Sequence, residues 1–392
     1  SVNKVFTLLS SSSISEKSLG VDSLLTIPHK TVAGKIKEVF EKESFPDVKV
    51  KFFRLFEVDE NRDYIGPARK ILGNYKNESP VLTSAAVNYL NALDKENSFE
   101  LFMKTYQDKE LSDDVKISLI KVISNYRNEI GSKILIDELR NASIPEIKKV
   151  IIENLSKFEN KDFNKDLIPY LELIYPDKIR ITAIDSLRVT WDENVENALL
   201  KIIKNKDYNK KILDSISSVL FRKDSIKGIT LLQQDEIYNS LNNKAKIGLF
   251  NSIGKLKIGE AESWLMQKAE QENNFMLKSA IFLALGRLQK DSSFSFLSKN
   301  LGKDVLLNIV ILKALANYDR QEVNSAISHI LQEKKVPDTV KLLAVSTIKE
   351  KKITALLPFL KAFYAENKNQ QLNIVIEETL KQLEPKSESI EK

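Results

Sequence analysis

Eleven apolar residues recur along this chain at almost constant spacing. They are Val48, Leu82, Val115, Ile147, Ile179, Ile212, Ala245, Leu277, Leu307, Val340 and Leu372, separated by 34, 33, 32, 32, 33, 33, 32, 30, 33 and 32 residues. Each opens a stretch whose apolar residues fall near offsets 0, +4, +5 and +8, the stripe of a 3.6-residue helix. Val115, Leu119, Ile120 and Ile123 show it, as do Ile147, Ile151, Ile152 and Leu155, and Leu277, Ile281, Phe282 and Leu285. A period this steady confines the chain to a repeat array, because one such unit cannot bury its apolar face alone and must stack on its neighbours. The usual division of 392 residues into two or three globular domains therefore does not apply.

Between these stretches, which we call B helices, lie more variable segments that read as partner A helices, at about 63–76, 97–107, 129–141, 163–175, 193–205, 224–240, 259–271, 291–301, 320–333 and 353–366. Pro or Asp precedes or opens many B helices (Asp47, Pro80, Asp114, Pro145, Asp177, Asp338), where Pro suits the first turn and an acid complements the helix dipole. Connections of about two to five residues make neighbouring helices antiparallel. Strand signals are scarce, with few alternating runs and only 11 glycines, so the chain reads as all-α. Residues 1–30 read as a partly ordered N-terminal cap, 31–384 as the repeat array and 385–392 as a flexible tail. Phe40, Phe45, Phe52, Phe53 and Phe56 read as the core of the capping region; an exposed aromatic docking patch is the competing reading.

The B helices open on Asp47-Val48-Lys49, Asp114-Val115-Lys116, Glu146-Ile147-Lys148 and Asp177-Lys178-Ile179-Arg180, and two close on Ser252-Ile253-Gly254 and Ala284-Leu285-Gly286. This pattern resembles HEAT repeats, of the short kind found in bacteria, over about residues 31–384. The resemblance implies a right-handed α-solenoid of about eleven helix pairs, B helices along the concave surface and an internal acid–base ladder between repeats. Leu82 and Leu372 depart from it by lacking the acid–base pair, and Leu213 sits where the base is expected. The signatures of tetratricopeptide and ankyrin repeats are not filled.

Charge falls in two rows. A base at offset +1 recurs at Lys49, Lys116, Lys148, Arg180, Lys246, Lys278 and Lys341. On a helical wheel this position lies inside the apolar arc, so Lys116, Lys148, Arg180, Lys246, Lys278 and Lys341 are expected to reach acids on neighbouring repeats as a structural ladder. Offsets −1 and +10 lie on the opposite side and carry Lys178, Lys211 and Lys244, and Lys157, Arg222, Lys255 and Arg287, with Arg188 one place early. These eight are the expected partner-binding residues of a basic groove, whose +10 row is about 32–40 Å long at ordinary helix spacing. Residues 210–223, 243–256 and 275–288 together hold nine bases and one acid. Cations favour helix C-termini, which accounts for single positions but not for so few acids over three consecutive repeats.

The net charge of +6 comes mostly from Lys, a weaker signal for phosphate recognition than Arg. There is no cysteine, so disulfides and thiolate metal sites are excluded. His29 and His329 lie far apart in sequence, and no phosphate-cradling glycine loop or nucleophile elbow occurs. Trp191-Asp192 and Trp264 share only residue types with the groove of HEAT-like DNA glycosylases. We therefore expect no catalytic residues, no cofactor and no metal site. No apolar run reaches the eighteen or so residues that a membrane span needs. Residue 1 is Ser and not Met, consistent with a removed leader and with a cytoplasmic or a periplasmic location alike. The expected function is a non-enzymatic scaffold or adaptor that binds another protein, through an acidic or helical segment, along the concave face. The alternative is a nucleic-acid-binding protein that uses the same basic groove.

Overall fold

A computed structural model describes residues 2–384, apart from the side chain of Val305; the expected 385–392 tail lies outside the described residues. Among the described residues the regular elements are all helical, 25 α-helices joined by turns and short 3-10 segments. The chain divides into two compact units, Ser1–Val195 and Glu196–Lys392, where the sequence suggests one uninterrupted array.

In the first unit the B helices are Pro46–Val58, Pro80–Leu93, Asp113–Ser124, Pro145–Leu155 and Asp177–Val189. Each packs on the one before it, and the series begins on Ile14–Leu24, which pairs with Val2–Leu9. The segment read as a cap thus holds a helix pair of its own. Lys17 with Glu43, at 2.9 Å, and Lys51 with Asp22 tie this pair to the first full repeat. The phenylalanines behind it are core: Phe52, Phe53 and Phe56 are buried, and Phe40 makes edge-on contacts with all three at 5.4–5.8 Å. Phe45 is the exception and is half-buried.

In the second unit the B helices are Lys210–Arg222, Asn243–Lys255, Phe275–Leu288, Val305–Leu315, Asp338–Lys351 and Gln370–Leu383, again each packed on its predecessor. All eleven anchors are the third residue of their helix, and all are at most 9% exposed. Each unit is an all-α stack of helix pairs in sequence order, the α-solenoid that the period implies.

Two A segments depart from expectation. The one at 163–175 breaks into a turn of α-helix, Asn164–Leu167, and a 3-10 segment, Ile168–Leu171. Pro169 lacks the amide that would continue the ladder, and Leu173 and Ile174 are left exposed. The one at 224–240 splits into Ile226–Leu231 and Asp235–Ser240, with the amides of Gln233 and Gln234 bonded three residues back.

The closing Ala-Leu-Gly pattern has a packing cause. A Cβ added at Gly286 would come within 2.6 Å of the Cα and carbonyl oxygen of Ala314 on the next B helix; at Gly254 it would come within 3.0 Å of Ala284 Cα. Glycine at offset +9 facing alanine at +7 lets these two backbones approach. The turns that follow have a different cause. Glu60, Arg127, Glu159, Asp224, Lys257, Gln289 and Lys352 all stand at offset +12 and all have φ of 50–56°. After four of them the next amide bonds back five residues (Asn61 to Phe56, 2.9 Å; Ser225 to Leu220, 3.0 Å; Ile258 to Ile253, 3.1 Å; Ile353 to Ile348, 3.0 Å), the Schellman closure of a helix end. Glycine usually fills that left-handed position; here it is filled by larger residues.

Two opposite glycine effects follow. Gly286→Ala should lower the melting temperature although Ala is the better helix former, with a destabilisation of about 1–3 kcal/mol from the forced separation. Lys257→Gly should raise stability by up to about 1 kcal/mol by relieving the left-handed strain. Thermal or urea unfolding of the two variants checks both signs.

Candidate partner-binding face

The +1 bases make several kinds of contact. Lys116 lies 3.3 Å from Glu138 of the Glu129–Asn141 helix. At Lys148 the sequence spacing suggests an acid, but Nζ donates to the Leu139 carbonyl at 2.8 Å and lies over the Tyr170 ring. Burial lowers the Lys148 pKa. Arg180 is 2% exposed and its Nε donates to the Leu171 carbonyl at 2.7 Å. Lys246 sits over the Tyr238 ring, 4.7 Å from its centroid, as Lys49 sits over Phe40. Lys278 and Lys341 are half-buried and have no ion pair among the described residues. Lys148 and Arg180 thus place a cation on the carbonyl end of the preceding segment, where the dipole and the unpaired carbonyls favour it.

The eight groove residues divide by unit. In the first, Lys157 is half-buried, its Nζ 3.1 Å from Asn125 Oδ1 and 3.4 Å from Ser124 Oγ, and burial lowers its pKa. It joins two repeats and does not project as a groove cation. Lys178 is neutralised by Glu146 at 2.7 Å, and the Nε of half-buried Arg188 is enclosed without an acceptor.

In the second unit Lys211, Arg222, Lys244, Lys255 and Arg287 are all exposed. Lys255 is paired with Asp224 at 2.8 Å. Lys211, Arg222, Lys244 and Arg287 have no carboxylate in ion-pair range among the described residues. Lys211 and Arg222 stand at the two ends of one helix, and Lys244 and Lys255 at the two ends of the next, eleven residues or about 16 Å apart on one face. Between the ends that face carries Ser215, Ser218, Gly248 and Asn251, all short side chains and none fully buried. The result is a shallow strip edged by cations.

Asp192 and Trp264 are both engaged within the stack. Asp192 accepts from the Val195 amide at 2.8 Å and from Asn164 Nδ2 at 3.0 Å, so its carboxylate is committed to holding a helix start. Trp264 meets Tyr238 edge-on and Phe250 at a tilt, with Lys268 over its ring. Among the described residues, no helix is long and apolar enough to cross a membrane.

The sequence carries a second periodic signal, three residues before the anchor. Asn209, Asn242, Asn274, Asp304 and Asn369, each three residues before its anchor, accept the anchor amide at 2.8–3.2 Å. They are side-chain N-caps.

Among solved structures, the chain is similar to Kap121p, with a TM-score of 0.52 and 13% identity, over 97% of this chain and 49% of that one. It thus spans about half of Kap121p. The fold is a HEAT-like α-solenoid. A match to the complex of CpcE and CpcF of phycocyanin lyase from Nostoc sp. PCC7120 covers 73% of this chain and 94% of that one, at 18% identity and a TM-score of 0.26, too low to carry an argument. No family model and no curated protein matches the chain.

One titrating contact in the HEAT-like stack was also hidden in the sequence. His29 Nε2 meets Asp59 Oδ2 at 2.6 Å and Nδ1 meets the Ile27 carbonyl at 2.8 Å, so both ring nitrogens face acceptors and the doubly protonated ring donates to both. Burial opposes the charge, but the Asp59 hydrogen bond, the Ile27 carbonyl and the Asp59 charge outweigh it, and the pKa is raised above 6.5. A raised pKa means stabilisation that is fully present below the unfolded value and is lost as pH rises through the folded one. The melting temperature should therefore fall from pH 6 to pH 8 by more in the wild type than in His29→Gln; equal slopes would remove His29 from the account.

Proposed function

We propose that this protein is a non-enzymatic scaffold or adaptor that holds another protein on the exposed face of its B helices, with Lys211, Arg222, Lys244 and Arg287 meeting acidic side chains. The observation that carries this reading is that these four exposed cations lie on the outward side of their helices with no carboxylate in ion-pair range among the described residues. Lys178, Lys206, Lys255 and Lys268 each have a carboxylate within 2.9 Å, whereas the four have none among the described residues. Paired surface charges contribute little to stability, but unpaired cations clustered on one face raise the local potential and attract an acidic partner. Phosphate recognition favours Arg forks, and two of the four are Lys.

The rival reading, nucleic acid on the same cations, draws on the nine-to-one excess of bases over acids in residues 210–223, 243–256 and 275–288. Salt separates the two, because a duplex contacted at several phosphates loses affinity steeply with ionic strength. A photo-crosslinking residue placed at exposed Ser218, in otherwise native protein, should give a nuclease-resistant protein adduct in lysate. The adduct should vanish in Lys211→Glu/Arg222→Glu/Lys244→Glu while the circular-dichroism spectrum and melting temperature stay unchanged. An adduct that nuclease removes would transfer the protein to the nucleic-acid class, and a protein adduct indifferent to charge reversal would sink the basic-face assignment.

A further inference from the structure

The offset −1 row continues past the lysines and changes character. Along four successive B helices of the second unit it reads Lys211, Lys244, Met276, Leu306. The two apolar members are as open to solvent as surface lysines, Met276 being 63% and Leu306 60% exposed, and Phe275 beside Met276 is 43% exposed. Their helices pack directly on one another, Asn243–Lys255 on Phe275–Leu288 and Phe275–Leu288 on Val305–Leu315. The row is thus a basic half that runs into an apolar half.

Neither half is explained by the fold. Lys211 and Lys244 stand in the first turn of their helices, where the dipole disfavours a cation. Corresponding positions of the first unit carry Asp47, Val81, Asp114, Glu146 and Lys178, and the one cation among them, Lys178, is paired with Glu146 at 2.7 Å. Met276 and Leu306 stand mostly in solvent, while the anchors next to them, Leu277 and Leu307, are buried. The acids at this edge are turned inward to amides: Glu272 to Asn274 at 2.7 Å and Asp304 to Leu306 at 2.9 Å. They leave the lysines unneutralised and the apolar side chains uncovered.

We infer that this row is the docking track for a peptide segment of a partner protein that is acidic in one half and apolar in the other, its carboxylates over Lys211 and Lys244 and its apolar side chains over Phe275, Met276 and Leu306. The inference rests on the scaffold reading and specifies the partner's chemistry. Charge complementarity fixes the acidic half, and the exposed apolar area fixes the other. At about 8–10 Å between packed helices the four positions span about 24–30 Å, the reach of about nine extended residues.

The test is selection of a random twelve-residue peptide library on the full-length protein, followed by binding of the enriched peptides to the wild type, to Lys211→Glu/Lys244→Glu and to Met276→Ser/Leu306→Ser. All four positions are exposed, so both variants should keep the wild-type melting temperature, which is measured alongside. Enriched peptides should place acids in one half and large apolar residues in the other, and each variant should weaken them at least tenfold. Peptides that are acidic throughout and respond only to the lysine variant would overturn this inference and leave the scaffold reading standing. Enrichment insensitive to both variants would overturn the inference alone. Absence of any enriched peptide, together with duplex DNA binding lost in the lysine variant, would overturn both.

Discussion

Every helix pair in this chain leaves part of its apolar stripe uncovered, and only the neighbouring pair can cover it. Ile151, Ile152 and Leu155 are buried between the B helices before and after them, and Ile281, Phe282 and Leu285 likewise. A fully buried side chain of this size is worth about 1.5–3 kcal/mol, so the stack is held by sums of nearest-neighbour terms. Everything else has to respect that register. Glycine at +9 against alanine at +7 brings adjacent backbones close, and ion pairs one repeat apart, such as Arg140 with Asp166 at 2.6 Å, decorate the rim.

Such a core makes no demand on the exposed side of the B helices. In a globular enzyme the same side chains would serve core and site together, and a change in one would disturb the other. Here Ile212 and Leu213 are buried while Lys211 beside them is open, and the next repeat sets Lys244 beside buried Ala245 in the same way. The surface can therefore vary from repeat to repeat without changing the stack. The −1 row does so, passing from Asp114 and Glu146 through Lys178, Lys211 and Lys244 to Met276 and Leu306.

How much of this is legible without coordinates depends on whether the signal is periodic. The B helices are, to the residue, because their anchors repeat burial. The A helices are less so: Pro169 and the Gln233-Gln234 turn break segments that their apolar content alone would carry through. The left-handed turns at +12 are hidden because glycine, the usual flag, is missing from all seven. The His29–Asp59 contact spans thirty residues of sequence with no repeat to announce it. Among the cations, the helical wheel separates inward from outward positions, but it cannot show that Lys157 bends back to Asn125 or that Asp224 claims Lys255. Those outcomes depend on which acceptor lies one repeat away.

The first unit and most of the second start their B helices by different means, Asp338–Lys351 being the second-unit helix that starts as the first unit's do, and the difference bears on where charge can stand. From Pro46 to Pro176 the first unit relies on proline and on acids in the first turn, and none of the five B helices beginning at residues 46, 80, 113, 145 and 177 has a side-chain N-cap bond. In the second unit, Asn209, Asn242, Asn274, Asp304 and Asn369 supply that bond directly to the anchor amide. A side-chain cap is worth about 1 kcal/mol, as much as or more than the roughly 0.3–1 kcal/mol that a cation in the first turn loses to the dipole. With the amides satisfied from position −3, a cation at position −1 costs the helix start less, although uncapped starts in the first unit also carry Val81 and Lys178 there. The cap offsets the lysine, so the helix starts that carry Lys211 and Lys244 recover from Asn209 and Asn242 what the dipole takes from them.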